Sequence, residues 1–220
     1  MKEKFRFYVA FLFCLFSTAG QANTENSSAI RFAEFLGVRL MEHTLADIKA
    51  IFKNDNLYSQ GDAATSSIYL CYEVLGLTNR KFTVKFISDG EFGINGKVTA
   101  IELSFTETSG VEQCGSISSS DYDAKNASTR AISDLLGMGK DKIIKSIGTP
   151  IRFNGSKELY FENCEELPLP VGYPNYENWI NKKNCFSADP TYFVCKNKVF
   201  IFDESDNLIS VRFNMIESIC

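Results

Sequence analysis

The sequence predicts an α+β fold made of two tandem helix-loop-helix plus antiparallel-sheet repeats. Three observations lead to this prediction. In each half of the chain, segments with helical spacing precede segments that alternate apolar and polar residues. Such alternation is typical of half-buried antiparallel strands. One segment of each half also matches the other at a constant offset: the matched positions are Ser67, Leu70, Tyr72 and Glu73, and then Ser156, Leu159, Phe161 and Glu162.

Residues 1–22 have the features of a secretory signal peptide. Lys2, Lys4 and Arg6 precede the apolar run 7–16, and small side chains lead to Ala22. The run is too short for a membrane-spanning helix, which needs roughly 20 residues. We therefore expect a periplasmic or secreted protein, cleaved near Ala22, with no stable membrane insertion.

The first repeat is predicted over residues 23–118. Apolar residues at helical spacing and then Gly37 predict a first helix, and Thr44 with Asp47 forms a start signal for a second. Strands are predicted over 67–74, 81–87 and 97–105, with a glycine-rich turn at 90–96.

The second repeat is predicted over residues 119–220. One helix is expected to end at Gly137, and a second, carrying Ile143, Ile144 and Ile147, at Gly148. Strands are predicted over 158–162, 191–196, 198–203 and 208–214, with a turn at 203–207.

A long loop, 165–190, separates the first two strands of the second repeat. Loops of this length are usually functional or mobile, and prolines such as Pro168, Pro170 and Pro174 reduce the conformational entropy of this one. Its rings could fold back onto the core of the second repeat, or they could anchor a protein partner, since aromatic side chains bury a large area. The residues predicted to bind a partner are Tyr173, Tyr176, Trp179 and Phe186.

Six cysteines remain once Cys14 leaves with the signal peptide, and an even number in an exported chain predicts disulfides. Six cysteines allow 15 pairings. We expect Cys71–Cys114 within the first repeat, and we favour Cys164–Cys185 and Cys195–Cys220 within the second.

Charge and motifs argue against several function classes. The net charge of −4 becomes −6 after the signal peptide leaves with its net +2, which disfavours nucleic-acid binding. Without Cys-x-x-Cys pairs or a histidine cluster, no metal or cofactor is predicted. His43 is the sole histidine and no nucleophile motif accompanies it, while Glu73 and Glu162 could act together only if they were close in space. We therefore predict that the chain is not an enzyme.

The segment from Leu136 to Pro150 (LGMGKDKIIKSIGTP), with the strand that ends at Phe161, resembles the start of the β-lactamase inhibitory protein fold. It is also similar to the related outer-membrane assembly lipoproteins of the small-protein A type. In the first half, Gly37 to Leu40 and Thr44 to Phe52 match the pattern loosely. The resemblance implies a tandem repeat that docks its target on a concave sheet face, although this chain lacks a lipobox.

Three functional hypotheses follow, in order of preference. The first is an exported protein-binding module, an inhibitor or immunity protein that sterically blocks a hydrolase or toxin. The second is an envelope or outer-membrane assembly scaffold. The third is a small exported hydrolase, which would require His43 and carboxylates to meet in a deep pocket.

Overall fold

A computed structural model describes residues 32–53, 56–62, 66–75, 81–105, 113–118, 127–155, 157–168 and 191–219. Strands take 54% of these residues and helices 21%. The prediction of an α+β tandem repeat with a concave sheet surface is therefore wrong. The protein is mostly antiparallel β-sheet, organised as one nine-stranded sheet.

The described ranges contain eleven strands and three α-helices, with a 3-10 segment between the fifth and sixth strands. In chain order they are β1 (Glu34–Phe35), β2 (Val38–Arg39), α1 (Leu45–Phe52), β3 (Leu57–Gln60), β4 (Ser67–Val74), β5 (Phe82–Asp89), the 3-10 segment (Gly90–Asn95), β6 (Val98–Phe105), β7 (Gly115–Ile117), α2 (Ala127–Ser133), α3 (Lys140–Ile147), β8 (Arg152–Asn154), β9 (Glu158–Pro168), β10 (Thr191–Phe202) and β11 (Leu208–Ile219).

The two halves of the chain are joined edge to edge in the sheet. Its strand order is β3-β4-β5-β6-β11-β10-β9-β8, with β7 parallel to β4. The joint is the antiparallel pair β6–β11, in which Ser104 lies opposite Ser210 and Ala100 opposite Asn214. This pairing makes one sheet where the sequence suggested two modules.

The main hydrophobic core lies on one face of the sheet and draws residues from both halves. Phenylalanine rings make much of it, and Phe35, Phe82, Phe86, Phe200 and Phe213 are essentially inaccessible to solvent. Two of the four pairs that match at constant offset, Leu70 with Leu159 and Tyr72 with Phe161, belong to this core. Alternate residues of any strand on such a core are apolar, so the match reflects shared burial.

Helix α1 confirms the predicted start signal. The Asp47 backbone N–H donates to the Thr44 hydroxyl (3.2 Å), and the Thr44 backbone N–H donates to the Asp47 carboxylate (2.8 Å). This reciprocal capping box satisfies two backbone donors that the first turn leaves unpaired. Leu45, Ile48 and Phe52 then face the core.

The prediction of a helix before Gly37 is wrong for the described residues. Residues 34–39 form the short hairpin β1–β2. Leu36 and Gly37 both have positive φ (54° and 78°), the conformation of a two-residue type I′ hairpin turn. Three apolar residues at helical spacing are too few to favour a helix over this turn.

The second half follows its predicted order with three changes of extent. Helix α3 ends at Ile147 with Gly148 as its C-cap, as predicted, but α2 ends at Ser133, ahead of the expected stop at Gly137. Strand β9 continues to Pro168, so residues 165–168 belong to a strand and not to the predicted loop. The two strands expected over 191–203 form the single strand β10, and β11 is also longer than predicted.

The capping box makes stability depend on pH. Hydrogen bonds from the Thr44 backbone N–H and hydroxyl lower the pKa of Asp47. A carboxyl whose pKa is lower in the folded state stabilises the fold above its unfolded pKa, near 4, and loses that effect as the pH falls through the folded pKa. We expect Asp47→Asn to lower the melting temperature at pH 7, with the loss shrinking towards pH 3.

Thermal unfolding of both proteins at pH 7 and pH 3 would measure this. Asp141→Asn is the matched control, because Asp141 lies in the first turn of α3, where no side chain caps the helix. An equal loss at both pH values for Asp47→Asn would contradict the explanation.

Candidate functional site: a three-stranded arm

Three strands continue beyond the part of the sheet that the core covers. Strand β11 pairs with β6 only as far as Asn214, and β8 pairs with β9 only over Glu158 to Tyr160. Beyond these points, among the described residues, β9, β10 and β11 pair only with one another. We call residues 162–168, 191–197 and 215–219 the arm.

Most described side chains of the arm are accessible. Residues 162–166 and 168 of β9 are exposed, as are Lys196, Ile216 and Glu217. Because successive side chains of a strand point to opposite faces, this run on β9 exposes both faces of the arm. Such a ribbon could be held on both sides by a partner.

The arm is acidic. In the three ranges that define it, Glu162, Glu165, Glu166 and Glu217 oppose the single cation Lys196, for a net charge of −3. At its base, the Arg152 guanidinium lies 5.4 Å from the centre of the Tyr160 ring. Burial, and then the nearby Glu162 charge, raise the pKa of Tyr160.

A disulfide joins two strands of the arm. Cys164 and Cys195 are directly opposite in the β9–β10 register, with their Cα atoms 4.0 Å apart. The favoured pairing Cys164–Cys185 is therefore wrong, and Cys195 is not free to pair with Cys220. Cys185 and Cys220 lie outside the described residues.

The other predicted disulfide, Cys71–Cys114, is confirmed, with its Cα atoms 4.8 Å apart. Cys71 is fully buried on the face of the sheet opposite the main core, in a small cluster with Tyr69, Ile87 and Ala100. One bond thus lies inside the protein, and the other lies on the accessible arm. Disulfides are typical of exported proteins.

The side chains around the arm disulfide include the donors of a potential metal site. Glu162, Cys164 and Cys195 offer ligand atoms within 4.8 Å of one another. The S–S bond occupies both sulfurs, so only the Glu162 carboxylate can donate while it is formed. Asn197, opposite Glu162, is buried and its Oδ1 has no hydrogen-bond partner among the described atoms.

The predicted partner-binding residues Tyr173, Tyr176, Trp179 and Phe186 lie outside the described residues. The chain that carries them leaves β9 at Pro168 and re-enters β10 at Thr191, and these two residues are opposite each other in the register. The connection therefore starts and ends at the outer end of the arm. Sequence reasoning identified the connection but missed the arm, whose only sequence signal is the acidic run 162–166.

The residues considered for catalysis are not brought together. The His43 Nδ1 accepts a hydrogen bond from the Arg39 backbone N–H (3.1 Å), which gives it a role in the turn before α1. Glu73 and Glu162 lie on β4 and β9, five strand spacings apart, or roughly 24 Å. Glycosidase carboxylates are separated by at most about 9.5 Å, so this pair cannot act together.

A cleft of about 310 Å³ lies between the turn after α2 and the start of β11. It is lined by Phe105, Leu136, Gly137, Asp203, Asn207 and Ile209. The Asp203 carboxylate accepts hydrogen bonds from the backbone N–H groups of Ser205 (2.9 Å) and Asn207 (2.8 Å). These bonds close the predicted turn and hold the pKa of Asp203 below its usual range, so this carboxylate serves the turn.

In comparisons with known proteins, no family model, no curated protein and no solved structure matches the chain. The resemblance to β-lactamase inhibitory proteins stays a prediction. None of the described helices is long and apolar enough to cross a membrane.

Proposed function

We propose that this protein is an exported protein-binding module, an inhibitor or immunity protein that uses the arm to block a hydrolase or toxin. It acts in the periplasm or outside the cell after cleavage near Ala22, and it needs no cofactor. The observation that carries the proposal is the arm itself: an acidic ribbon with side chains exposed on both faces and the aromatic connection at its outer end.

The size of the arm favours a partner with a cleft. Seven residues of strand span roughly 23 Å, and three strands are roughly 10 Å wide, so one face offers roughly 230 Å². A stable interface buries about 800 Å² on each partner. A partner would have to surround both faces and contact the connection as well, as the active-site cleft of a hydrolase could.

Charge further defines the partner. With a net −3 on the arm, the complementary surface is basic, and opposite potentials would steer the two proteins together. A flat scaffold contact would use one face only. The two accessible faces and the basic partner surface therefore favour a steric inhibitor over an envelope scaffold.

The proposal predicts that Trp179→Ala weakens capture of the partner. Buried Trp side chains are frequent hot spots, and their loss typically costs about 2 kcal/mol or more, or about 30-fold in affinity. The tagged protein would be purified from the producing cell, the captured protein identified, and its affinity measured by calorimetry for the wild type and the variant.

Phe92→Ala is the matched control, because Phe92 is an exposed aromatic residue of the 3-10 segment, outside the arm. We expect this variant to bind as the wild type does. Capture of no protein by the wild type would refute the proposed function. Equal binding by Trp179→Ala would show that the connection is not part of the interface. Capture of an outer-membrane assembly complex would favour the scaffold hypothesis.

A further inference from the structure

One edge of the arm carries backbone groups that no described residue pairs with. The Tyr160 carbonyl accepts a hydrogen bond from the Ile151 N–H (2.9 Å) on the side of β8, whereas the Lys157 carbonyl accepts from Phe202 on the side of β10. The backbone groups of successive residues in a strand point to alternate sides. The N–H and C=O groups of the even-numbered residues of β9 therefore point away from β10.

The arm disulfide agrees with this assignment. A Cα separation of 4.0 Å between Cys164 and Cys195 is typical of a non-hydrogen-bonded pair, whose N–H and C=O groups point away from the partner strand. Glu162, Cys164 and Glu166 therefore direct three N–H donors and three C=O acceptors outward. We call this row the β9 edge; it ends at Pro168, which has no N–H to offer.

The side chains along the β9 edge determine which charge is favourable in a strand that adds to this edge. Glu162 and Glu166 lie on the same face of the sheet as the disulfide, four residues apart, and Glu165 lies on the other face. Opposite charges directly across two strands are stabilising, and like charges are destabilising. An added strand with basic residues four positions apart would match Glu162 and Glu166.

A second copy of this chain fits poorly, because pairing two β9 edges would bring carboxylates against carboxylates. Charged residues on an edge strand also protect against such self-association. The same charges attract a basic strand from another protein.

Resting on the proposed function, we propose that the β9 edge binds an extended, basic segment of the protein partner, which adds to the sheet as a further antiparallel or parallel strand. Main-chain hydrogen bonds to Glu162, Cys164 and Glu166 supply affinity, and the two glutamates select Lys or Arg at positions four apart. The arm then meets its target through both its edge and its faces.

The test uses the full mature protein and a ten-residue peptide that alternates Val and Thr and carries Lys at its third and seventh positions. We expect the peptide to slow amide exchange at Glu162, Cys164 and Glu166. Glu166→Pro removes a donor that the fold does not use, and it should weaken binding about tenfold. Glu166→Gln keeps the donor and should weaken binding only about threefold.

Glu204→Lys is the charge control, because Glu204 lies at the opposite end of the β10–β11 hairpin, paired with Lys157. This variant should leave peptide binding unchanged. Replacing both Lys of the peptide by Glu should abolish binding. Equal binding by Glu166→Pro and Glu166→Gln, or exchange protection on another strand, would overturn the proposal. So would a dimer that Glu166→Pro converts to a monomer, since the occupant would then be a second copy.

These results separate the two proposals. If the wild type captures a cellular partner and Glu166→Pro captures it equally well, strand addition is refuted while the proposed function stands. If the peptide binds in a Glu166→Pro-sensitive manner but no cellular partner is captured, strand addition is supported and the proposed function fails.

Discussion

Replacing Cys71 and Cys114 together by serine is expected to lower the free energy of unfolding by about 4 kcal/mol or more. The bond joins residues 43 apart in sequence, and closing a loop of that length restricts the unfolded chain by about 4 kcal/mol in the chain-entropy model. Since folded domains are stable by only 5–15 kcal/mol, roughly, the double variant would lose a large share of its stability.

The matched control is the double variant Cys164→Ser with Cys195→Ser. Its residues are 31 apart, so the chain-entropy model predicts nearly the same loss, again about 4 kcal/mol. The difference between the two pairs is their surroundings. Cys71 is fully buried in an apolar cluster, and a serine there would bury a hydroxyl, whereas Cys164 is exposed.

A buried hydroxyl without a partner costs about 1–3 kcal/mol. We therefore expect urea unfolding to show a loss larger by that amount for the Cys71 and Cys114 pair. Limited reduction with a dithiol should also open Cys164–Cys195 first, which mass spectrometry after alkylation can follow. Equal losses for the two double variants would contradict the role assigned to burial.

The sequence predicted those elements whose signals lie within a few residues. Thr44 and Asp47 mark the start of α1 because both members of the capping box are local. Gly148 marks the end of α3 for a similar reason. Strands β4 and β5 are recognisable from alternation and aromatic content over eight residues.

Features that depend on distant parts of the chain could not be predicted in this way. The β6–β11 pair sets Ser104 against Ser210, and nothing near either residue marks the other as its partner. Without that pair the two halves suggest separate modules, which is how the fold class was mistaken. The extension of β9 over Glu165 and Glu166 has the same origin, because glutamate is a weak strand former and β10 supplies the pairing.

The candidate site depends on both kinds of information. Its aromatic connection was visible as an unusual composition, whereas the arm arises from a difference in strand length: β9, β10 and β11 continue where β6 and β8 have stopped. The pairing of Cys164 with Cys195 follows from the same register. Strand lengths that exceed those of their neighbours are a tertiary property, so no local pattern announces them.

Strand β10 runs from the core into the arm, and a single substitution at each end should separate stability from binding. Phe200→Ala is expected to lower the free energy of unfolding by about 3–5 kcal/mol, because it leaves a cavity in the core. Phe200 is fully buried, and its ring packs edge to face with those of Phe161 (5.3 Å between centroids) and Phe32 (6.1 Å). Urea unfolding monitored by circular dichroism would measure the loss.

Phe193→Ala is its counterpart on the same strand. Phe193 is half-buried in the arm and contributes nothing to the core cluster, so its loss should cost well under half as much stability. If the arm is the binding element, this variant should nevertheless weaken partner capture, whereas Phe200→Ala should bind normally wherever it remains folded. A Phe193→Ala protein as unstable as Phe200→Ala would show that the arm is part of the folding core. It would contradict the proposed division of the sheet into a stabilising core and a binding arm.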